Sequence, residues 1–223
     1  MLDQLRIGDT YSYDQFSASV MKRSISAPKK KVIKDTVPFS NVTYDFSAIN
    51  GEVYWEERNL DYIFEITADT PEELEELKIN FQTWIMNVTR KKLYDPFIQY
   101  YHFLATYSDI VFDDDEDMEK TTVTVKFTAY PYKIANNKTV YTASVTTDED
   151  IVLNIENKSA HRITPTLISD TPVTVTIGNA TFQMGATTVA DERFKIEAGT
   201  NKISVRATEV KGTFTIEFTE EVF

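Results

Sequence analysis

Val173-Thr174-Val175-Thr176-Ile177-Gly178-Asn179-Ala180-Thr181-Phe182-Gln183-Met184 reads as a β-hairpin closed by a two-residue turn at Gly178-Asn179. With that turn, Ile177 faces Ala180, Val175 faces Phe182 and Val173 faces Met184 on one side. Thr176 faces Thr181 and Thr174 faces Gln183 on the other. A slip of one residue would turn the apolar row into water, so the register is well specified. The runs Arg193–Ile196, Ile203–Ala207 and Thr213–Thr219 continue as strands, with Phe214, Ile216 and Phe218 pointing inward and Gly199 and Gly212 marking turns. The C-terminal part is therefore expected to be a small antiparallel sandwich or jelly roll.

Working back towards the N-terminus, the composition changes. Every Tyr (Tyr11 to Tyr141) and both Trp (Trp55 and Trp84) precede Thr142, after which the aromatics are all Phe. The boundary is placed near Lys133–Tyr141, with Asn136-Asn137-Lys138 as linker or turn, giving domains over 1–135 and 136–223. The first part carries one convincing helix, from Thr70 to about Lys91 (helical residues about 71–91). Thr70 is its N-cap, Pro71 suits the first turn and Glu73 completes a capping box. Glu72, Glu73, Glu75 and Glu76 sit at the positive end of the helix dipole and Arg90, Lys91 and Lys92 at the other. Leu74, Leu77, Phe81, Trp84, Ile85 and Val88 form one apolar stripe for a sheet to cover.

Strands are expected at Val42–Ser47, Val53–Glu57, Leu60–Thr67, Ile98–Tyr107 and Thr121–Tyr130. In the last, Val123, Val125, Phe127 and Ala129 alternate with Thr122, Thr124, Lys126 and Thr128, as in a half-buried strand. In Ile98–Tyr107 both faces are apolar: Ile98, Tyr100 and Leu104 on one, Tyr101, Phe103 and Ala105 on the other. Such a strand is central or partly covered by another subunit, and intrachain cover is the favoured reading.

Composition narrows the function. Of the 223 residues 42% are hydrophobic, ordinary for a folded protein. No cysteine is present, which removes disulfides and thiolate metal sites. The N-terminus lacks a basic-then-apolar leader, and no run is long enough for a membrane helix, so a soluble chain is expected. A net charge of −12 argues against sequence-independent nucleic-acid binding; solubility is the favoured reading of it, and an acidic wall would also suit a conduit that must not hold passing DNA.

Catalytic signals are few. The two histidines, His102 and His161, have no nucleophile elbow and no metal-ligand spacing around them and read as structural. The six glycines are scattered singly, without a phosphate-cradling loop. Asp113-Asp114-Asp115-Glu116-Asp117 has the carboxylate density of a Ca²⁺ site but not its spacing, and a solvated hairpin tip is the better reading. Lys29-Lys30-Lys31 with Lys34 reads as an exposed loop, and the sequons at Asn41, Asn87, Asn137, Asn157 and Asn179 carry no weight without a secretion route. A glycosidase needs only two carboxylates on loops, but the residues beyond Thr142 offer no Trp or Tyr as a sugar platform. No catalytic, cofactor or metal residue is assigned.

The succession of segments resembles the siphophage distal tail protein family over nearly the whole chain. It begins with Ile7-Gly8-Asp9-Thr10-Tyr11-Ser12-Tyr13-Asp14-Gln15-Phe16, similar to that family's opening strand and turn. It runs through Val37-Pro38-Phe39-Ser40-Asn41, Tyr44-Asp45-Phe46-Ser47 and Tyr54 to Arg58. The Glu-rich helix with Trp84 follows, then Leu93-Tyr94-Asp95, the aromatic strand and Val125-Lys126-Phe127-Thr128-Ala129-Tyr130-Pro131-Tyr132. Beyond these, Asn154 to Asn157, Pro165-Thr166-Leu167 and Glu197-Ala198-Gly199-Thr200-Asn201-Lys202-Ile203 look like a galectin-like sandwich. Val37–Asn41 departs from the pattern in lacking the glycines often seen at that turn.

The resemblance implies a mainly β protein: an N-terminal β-sandwich with one α-helix that assembles into a hexameric ring, and a C-terminal galectin-like antiparallel β-sandwich outside it. It implies a non-enzymatic baseplate hub at the distal end of the virion tail, made in the host cytoplasm, with a central channel for DNA. Its partners would be other copies of itself, the tail tube protein, a tail-associated tip protein and a receptor-binding protein, without sequence-specific nucleic-acid contacts or membrane insertion. Tyr101, Phe103 and the helix flank would lie near the subunit boundary. The rivals are a carbohydrate-binding adhesin acting through the second domain, a tail-associated hydrolase, and a tail tube or other baseplate protein.

Overall fold

The computed structural model describes residues 3–36, 39, 41, 43–48, 51–115, 119–178 and 180–223. The chain packs as two compact units, Met1–Lys133 with Phe223, and Ile134–Val222. Strand dominates both, and among the described residues no helix is long and apolar enough to cross a membrane.

In the first unit the strands are β1 (Arg6–Ile7), β2 (Thr10–Tyr11), β3 (Ala18–Ile25), β4 (Lys34–Thr36), β5 (Thr43–Asp45), β6 (Arg58–Thr67), β7 (Lys91–Tyr94), β8 (Tyr101–Asp114) and β9 (Lys120–Ala129). An antiparallel sheet runs in the order β2-β1-β7-β8-β9-β6-β3, and β4-β5 form a separate ribbon. The central pair decides the core. Leu60, Tyr62, Phe64 and Ile66 of β6 are wholly buried, and register sets Leu60 opposite Phe127, Tyr62 opposite Val125 and Phe64 opposite Val123. The period-two row of Val123, Val125, Phe127 and Ala129 thus points inward, as its alternation requires.

Helix α1 (Ser12–Phe16) is a single turn where the sequence suggests only a turn, and α2 (Pro71–Met86) is the Glu-rich helix. The buried Ser12 hydroxyl accepts from Leu5 N at 3.1 Å and donates to Ala18 O at 2.8 Å, tying the start of the chain to β3. Phe81 of α2 lies edge-on to Phe64 at 5.2 Å and to Phe16 at 5.7 Å, while Trp84 stacks on Phe16 at 4.9 Å. Thr70 caps as expected, its Oγ1 accepting from Glu73 N at 3.2 Å. The return bond runs from Asp69 N to Glu73 Oε2 at 3.1 Å, one residue earlier than a full capping box places it.

The expected helix end near Lys91 is corrected to Met86. Val88 still fills the apolar stripe, but its carbonyl accepts from Tyr107 N at 2.8 Å, and Arg90 turns the chain with φ +46. Lys91 and Lys92 then pair with Ala105 and Leu104 in the sheet, so no basic residue occupies the helix's last turn. Sheet pairing outcompetes a weak local propensity. Two strands also shift. Val53–Glu57 reduces to a bridge between Trp55 and Lys30, and Ile98–Tyr100 form a turn, the strand starting at Tyr101 and running to Asp114 past a bulge after Tyr107. β5 covers Thr43–Asp45 of the expected Val42–Ser47, of which Val42 lies outside the described residues.

Strand β10 (Lys133–Ala135) begins at the last residue of the first unit, and the second unit continues with β11 (Thr139–Val145), β12 (Ile151–Asn157), β13 (Thr166–Ser169), β14 (Val173–Ile177), β15 (Ala180–Met184), β16 (Thr188–Ala190), β17 (Gly199–Ala207), β18 (Gly212–Phe218) and β19 (Glu221–Val222). Two four-stranded antiparallel sheets, β11-β18-β13-β16 and β12-β17-β14-β15, share one core containing Val145, Ile155, Val175, Ile203, Phe214 and Ile216. The β14–β15 hairpin has the predicted register at all five pairs, with Thr176 and Thr181 hydroxyls 3.3 Å apart; Asn179 of its turn lies outside the described residues.

Arg193–Ile196 is not a strand. Its β pairing among the described residues is the single bridge between Ile196 and Ile163, Phe194 N turns back to Asp191 O at 2.9 Å, and Phe194 and Ile196 plug the core, Phe194 edge-on to Phe182 at 5.2 Å. Buried Asn157 holds this segment, its amide donating to Ile196 O at 3.2 Å and Glu197 O at 3.1 Å. Gly212 opens β18 rather than forming a turn, and the reason is close approach. An added Cβ would stand 2.2 Å from Asp170 Oδ1 and 2.6 Å from Thr171 Cγ2. Asp170 Oδ1 is fixed by Thr213 N at 2.6 Å and Thr171 is buried. Gly212→Ala should therefore lose roughly 1–3 kcal/mol in urea unfolding. Gly185→Ala, with nothing within 4 Å of the new Cβ, should stay within about 0.5 kcal/mol of the parent.

Candidate functional site

Between β3 and β6, the described residues of 26–57 lie outside the core cluster of the first unit. Part of this stretch pairs with itself, Lys34 opposite Asp45, Asp35 opposite Tyr44 and Thr36 opposite Thr43. At its ends Ser26 exchanges hydrogen bonds with Asn59 of β6 and Trp55 packs edge-on to Phe223 at 4.7 Å, while the bonds along its length are internal. Phe46 N donates to Ile33 O at 2.8 Å, Ser47 Oγ accepts from Ile33 N at 2.9 Å, Lys31 N donates to Tyr54 O at 2.9 Å and Glu56 N to Lys29 O at 2.8 Å. Apolar side chains along it face water: Val32 is 59% exposed and Tyr44 51%, and Ile33, Phe39, Phe46, Val53 and Tyr54 are exposed too. A long excursion with this many exposed apolar groups is the candidate interaction surface of the first unit. The lysine cluster Lys29, Lys30, Lys31 and Lys34 is exposed on the same excursion, with Lys30 5.9 Å from the Trp55 ring centre. Val37, Pro38 and Ser40 of Val37–Asn41 lie outside the described residues.

A second surface forms at the turn between β7 and β8. Asp95 is buried, and its Oδ2 accepts from Arg23 Nε and from Tyr62 Oη, each at 3.1 Å, while Oδ1 accepts from Phe97 N at 3.0 Å. Arg23 also pairs with Asp3 and lies 4.0 Å over the Phe97 ring. Burial, and next the Asp95 charge, push the Tyr62 phenol well above its ordinary value. The network pins a turn whose Phe97 and Tyr100 rings stand in solvent. Neither the network nor its partners could be found from the sequence, because Arg23, Tyr62 and Asp95 meet only through the sheet order.

Tyr101 and Phe103 follow this turn on β8. Phe103 is 0% exposed inside the core, so its ring serves intrachain packing, whereas Tyr101 is half-buried beside the exposed aromatic turn. His102 is buried with its ring 5.2 Å from Tyr94, and His161 Nε2 lies 3.3 Å from Glu221 Oε2. Tyr141, the one tyrosine of the second unit, stacks on Phe218 at 6.5 Å and accepts from Glu156 N at 3.1 Å through its hydroxyl.

Asp113 and Asp114 pair with Thr122 and Thr121 at the end of the β8–β9 ladder, and Glu116 and Asp117 lie outside the described residues. The charge is partly answered by lysines, Lys78 Nζ reaching Asp114 at 2.8 Å and Lys120 reaching Asp115 at 3.3 Å. Among the described residues no group of three or more His, Asp or Glu side chains is arranged to hold a metal ion.

No protein-family model matches the chain, and no curated protein matches its sequence. Among solved structures it is similar to the Dit protein of phage SPP1, described as a paradigm of the hub adsorption apparatus of phages infecting Gram-positive bacteria. The TM-score is 0.70 at 13% identity, covering 98% of this chain and 99% of that one. Two structures of the phage P2 baseplate in its activated conformation also align. The one with Ca has a TM-score of 0.45, covering 97% of this chain and 98% of that one. The one with Sr scores 0.47, covering 98% of both, and identity is 11% in each. The chain thus has the mainly β, two-domain fold of the SPP1 protein from end to end.

Asp95→Ala should cost roughly 1–3 kcal/mol in denaturant unfolding by leaving the buried Tyr62 hydroxyl without its acceptor, Arg23 keeping Asp3, whereas Asp3→Ala, removing a partly exposed partner, should cost under about 1 kcal/mol. Lys78, and next Thr121, hold the Asp114 carboxyl below its ordinary value. Its stabilising contribution is complete above the unfolded value of about 4 and is lost as pH falls through the lower folded value. Lys78→Met should shrink that loss in an acid-unfolding series.

Proposed function

We propose that this chain is a structural, non-catalytic component of a phage tail tip: a distal tail protein whose first domain assembles into a hexameric ring. The ring joins the tail tube to the tip and receptor-binding proteins and leaves a central passage for DNA. The observation that carries this reading is the likeness to the SPP1 Dit protein across both domains, 98% of this chain and 99% of that one. A hub called a paradigm for adsorption in such phages is a protein of contacts, and the exposed apolar residues here are distributed as contacts would need.

The first domain has two different apolar surfaces, the excursion over residues 26–57 and the turn bearing Phe97 and Tyr100 next to Tyr101. When one copy offers the first and its neighbour the second, the contact is head-to-tail, and a head-to-tail contact that closes makes a ring. Burying these side chains contributes about 25 cal/mol per Å² of apolar area, which offsets the cost of ordering the excursion. A net charge of −12 suits a wall that lets a duplex pass without gripping it.

Light scattering across a wide concentration range, with negative-stain images, tests the ring: a sixfold mass with a central hole is the expected species. Val32→Asp with Tyr44→Asp should reduce it to monomer while leaving stability within about 0.5 kcal/mol, since both side chains are solvent-exposed. Assembly unchanged in that double variant would remove the excursion from the ring contact.

A further inference from the structure

The inward row of β6 begins with a charge. Arg58, Leu60, Tyr62, Phe64 and Ile66 share the face that period-two alternation directs into the core, and Arg58 is 4% exposed. Its guanidinium lies 5.6 Å from the Phe103 ring centre, and its Nε and Nη2 are buried with no hydrogen-bond partner. The nearby Lys133 is a half-buried second cation, its ammonium pushed down by burial first and by Arg58 next. Among the described residues no carboxylate pairs with either.

Both domains show what a satisfied arginine looks like. Arg23 directs Nε to Asp95 and Nη2 to Asp3. Arg193 grips Asp191 with Nε at 3.0 Å from Oδ1 and Nη2 at 2.6 Å from Oδ2. The Nε–Nη2 edge is the fork that matches the two oxygens of one oxyanion, and in Arg58 both atoms of that edge are buried without a hydrogen-bond partner. A guanidinium stays charged at any working pH, and a buried charge without a counter-ion is among the most destabilising features a core can hold. The Phe103 ring face offsets only part of it.

We propose that Arg58 and Lys133 form an oxyanion-binding site in the first domain, taking a carboxylate or phosphate group supplied from outside that domain. Arg58 grips two oxygens through its Nε–Nη2 edge and Lys133 adds the second positive charge. The source is either a free anion or a carboxylate on another copy of this chain, whose charge balance is strongly acidic.

Thermal melting of the full chain separates the sources. At constant ionic strength, dilute protein is melted while phosphate or acetate replaces chloride. A free-anion site raises the wild-type Tm saturably, by roughly 5 °C near saturation. In chloride alone, a site filled by a second copy raises Tm with protein concentration instead. Either response should be lost in Arg58→Met, which melts at or above the anion-free wild type, and weakened in Lys133→Met, a change at a half-buried position that leaves the core intact. The proposal is overturned if neither response appears or if the variants respond as wild type does, the general salt effect. It also fails if Arg58→Met melts well below wild type under every condition, because the guanidinium is then satisfied within the domain.

Discussion

Pairing of Leu60, Tyr62 and Phe64 on β6 with Phe127, Val125 and Val123 on β9 is the contact on which the first domain depends. Two rows of large apolar side chains meet at cross-strand distance, and that doubled row receives α2 through Phe81 against Phe64, with Phe16 of α1 packed on Phe81 in turn. A one-residue slip would bring Asp61, Ile63 and Glu65 into the core in their place, so the register is defended by charge as well as by apolar area. β8 extends the sheet through Ala105 opposite Ala129, and the two small residues let the strands and the Arg58 side chain crowd together at that end.

A core so concentrated leaves other parts of the chain without intrachain cover. The excursion over residues 26–57 is held by its own ladder and by backbone bonds near Trp55, yet exposes a series of apolar side chains. The turn after β7 is the opposite case: rigid through the buried Asp95, with aromatic rings outside. These are the two exposed apolar surfaces that the proposed ring would bring together, and a turn held by buried hydrogen bonds would incur little ordering entropy on binding. Arg58 belongs with them as a group whose needs the isolated domain leaves unmet.

The second domain spends its polar groups differently. Asn157 and Asn201 are buried and bond backbone carbonyls of the 196–199 segment, so a stretch without strand pairing is still fixed and delivers Phe194 and Ile196 to the core. This explains how the run Arg193–Ile196, apolar enough to suggest a strand, is buried without a ladder.

Much of this was legible in the sequence wherever a feature depends on near neighbours. The β14–β15 register, the inward row of β9 and the Thr70 cap follow from alternation, turn chemistry and capping, each encoded within a few residues. The order of segments likewise pointed to the fold that this chain shares with the SPP1 Dit protein. Tertiary structure alone decided where α2 stops, because Val88 and Lys91 answer to β8 rather than to their own helix. It alone brought Arg23, Tyr62 and Asp95 together, left Arg58 without a carboxylate, buried Phe103 and stranded the apolar excursion in solvent. Those outcomes depend on which distant strands become neighbours, and sheet order is a property of the whole chain's packing that no local pattern contains.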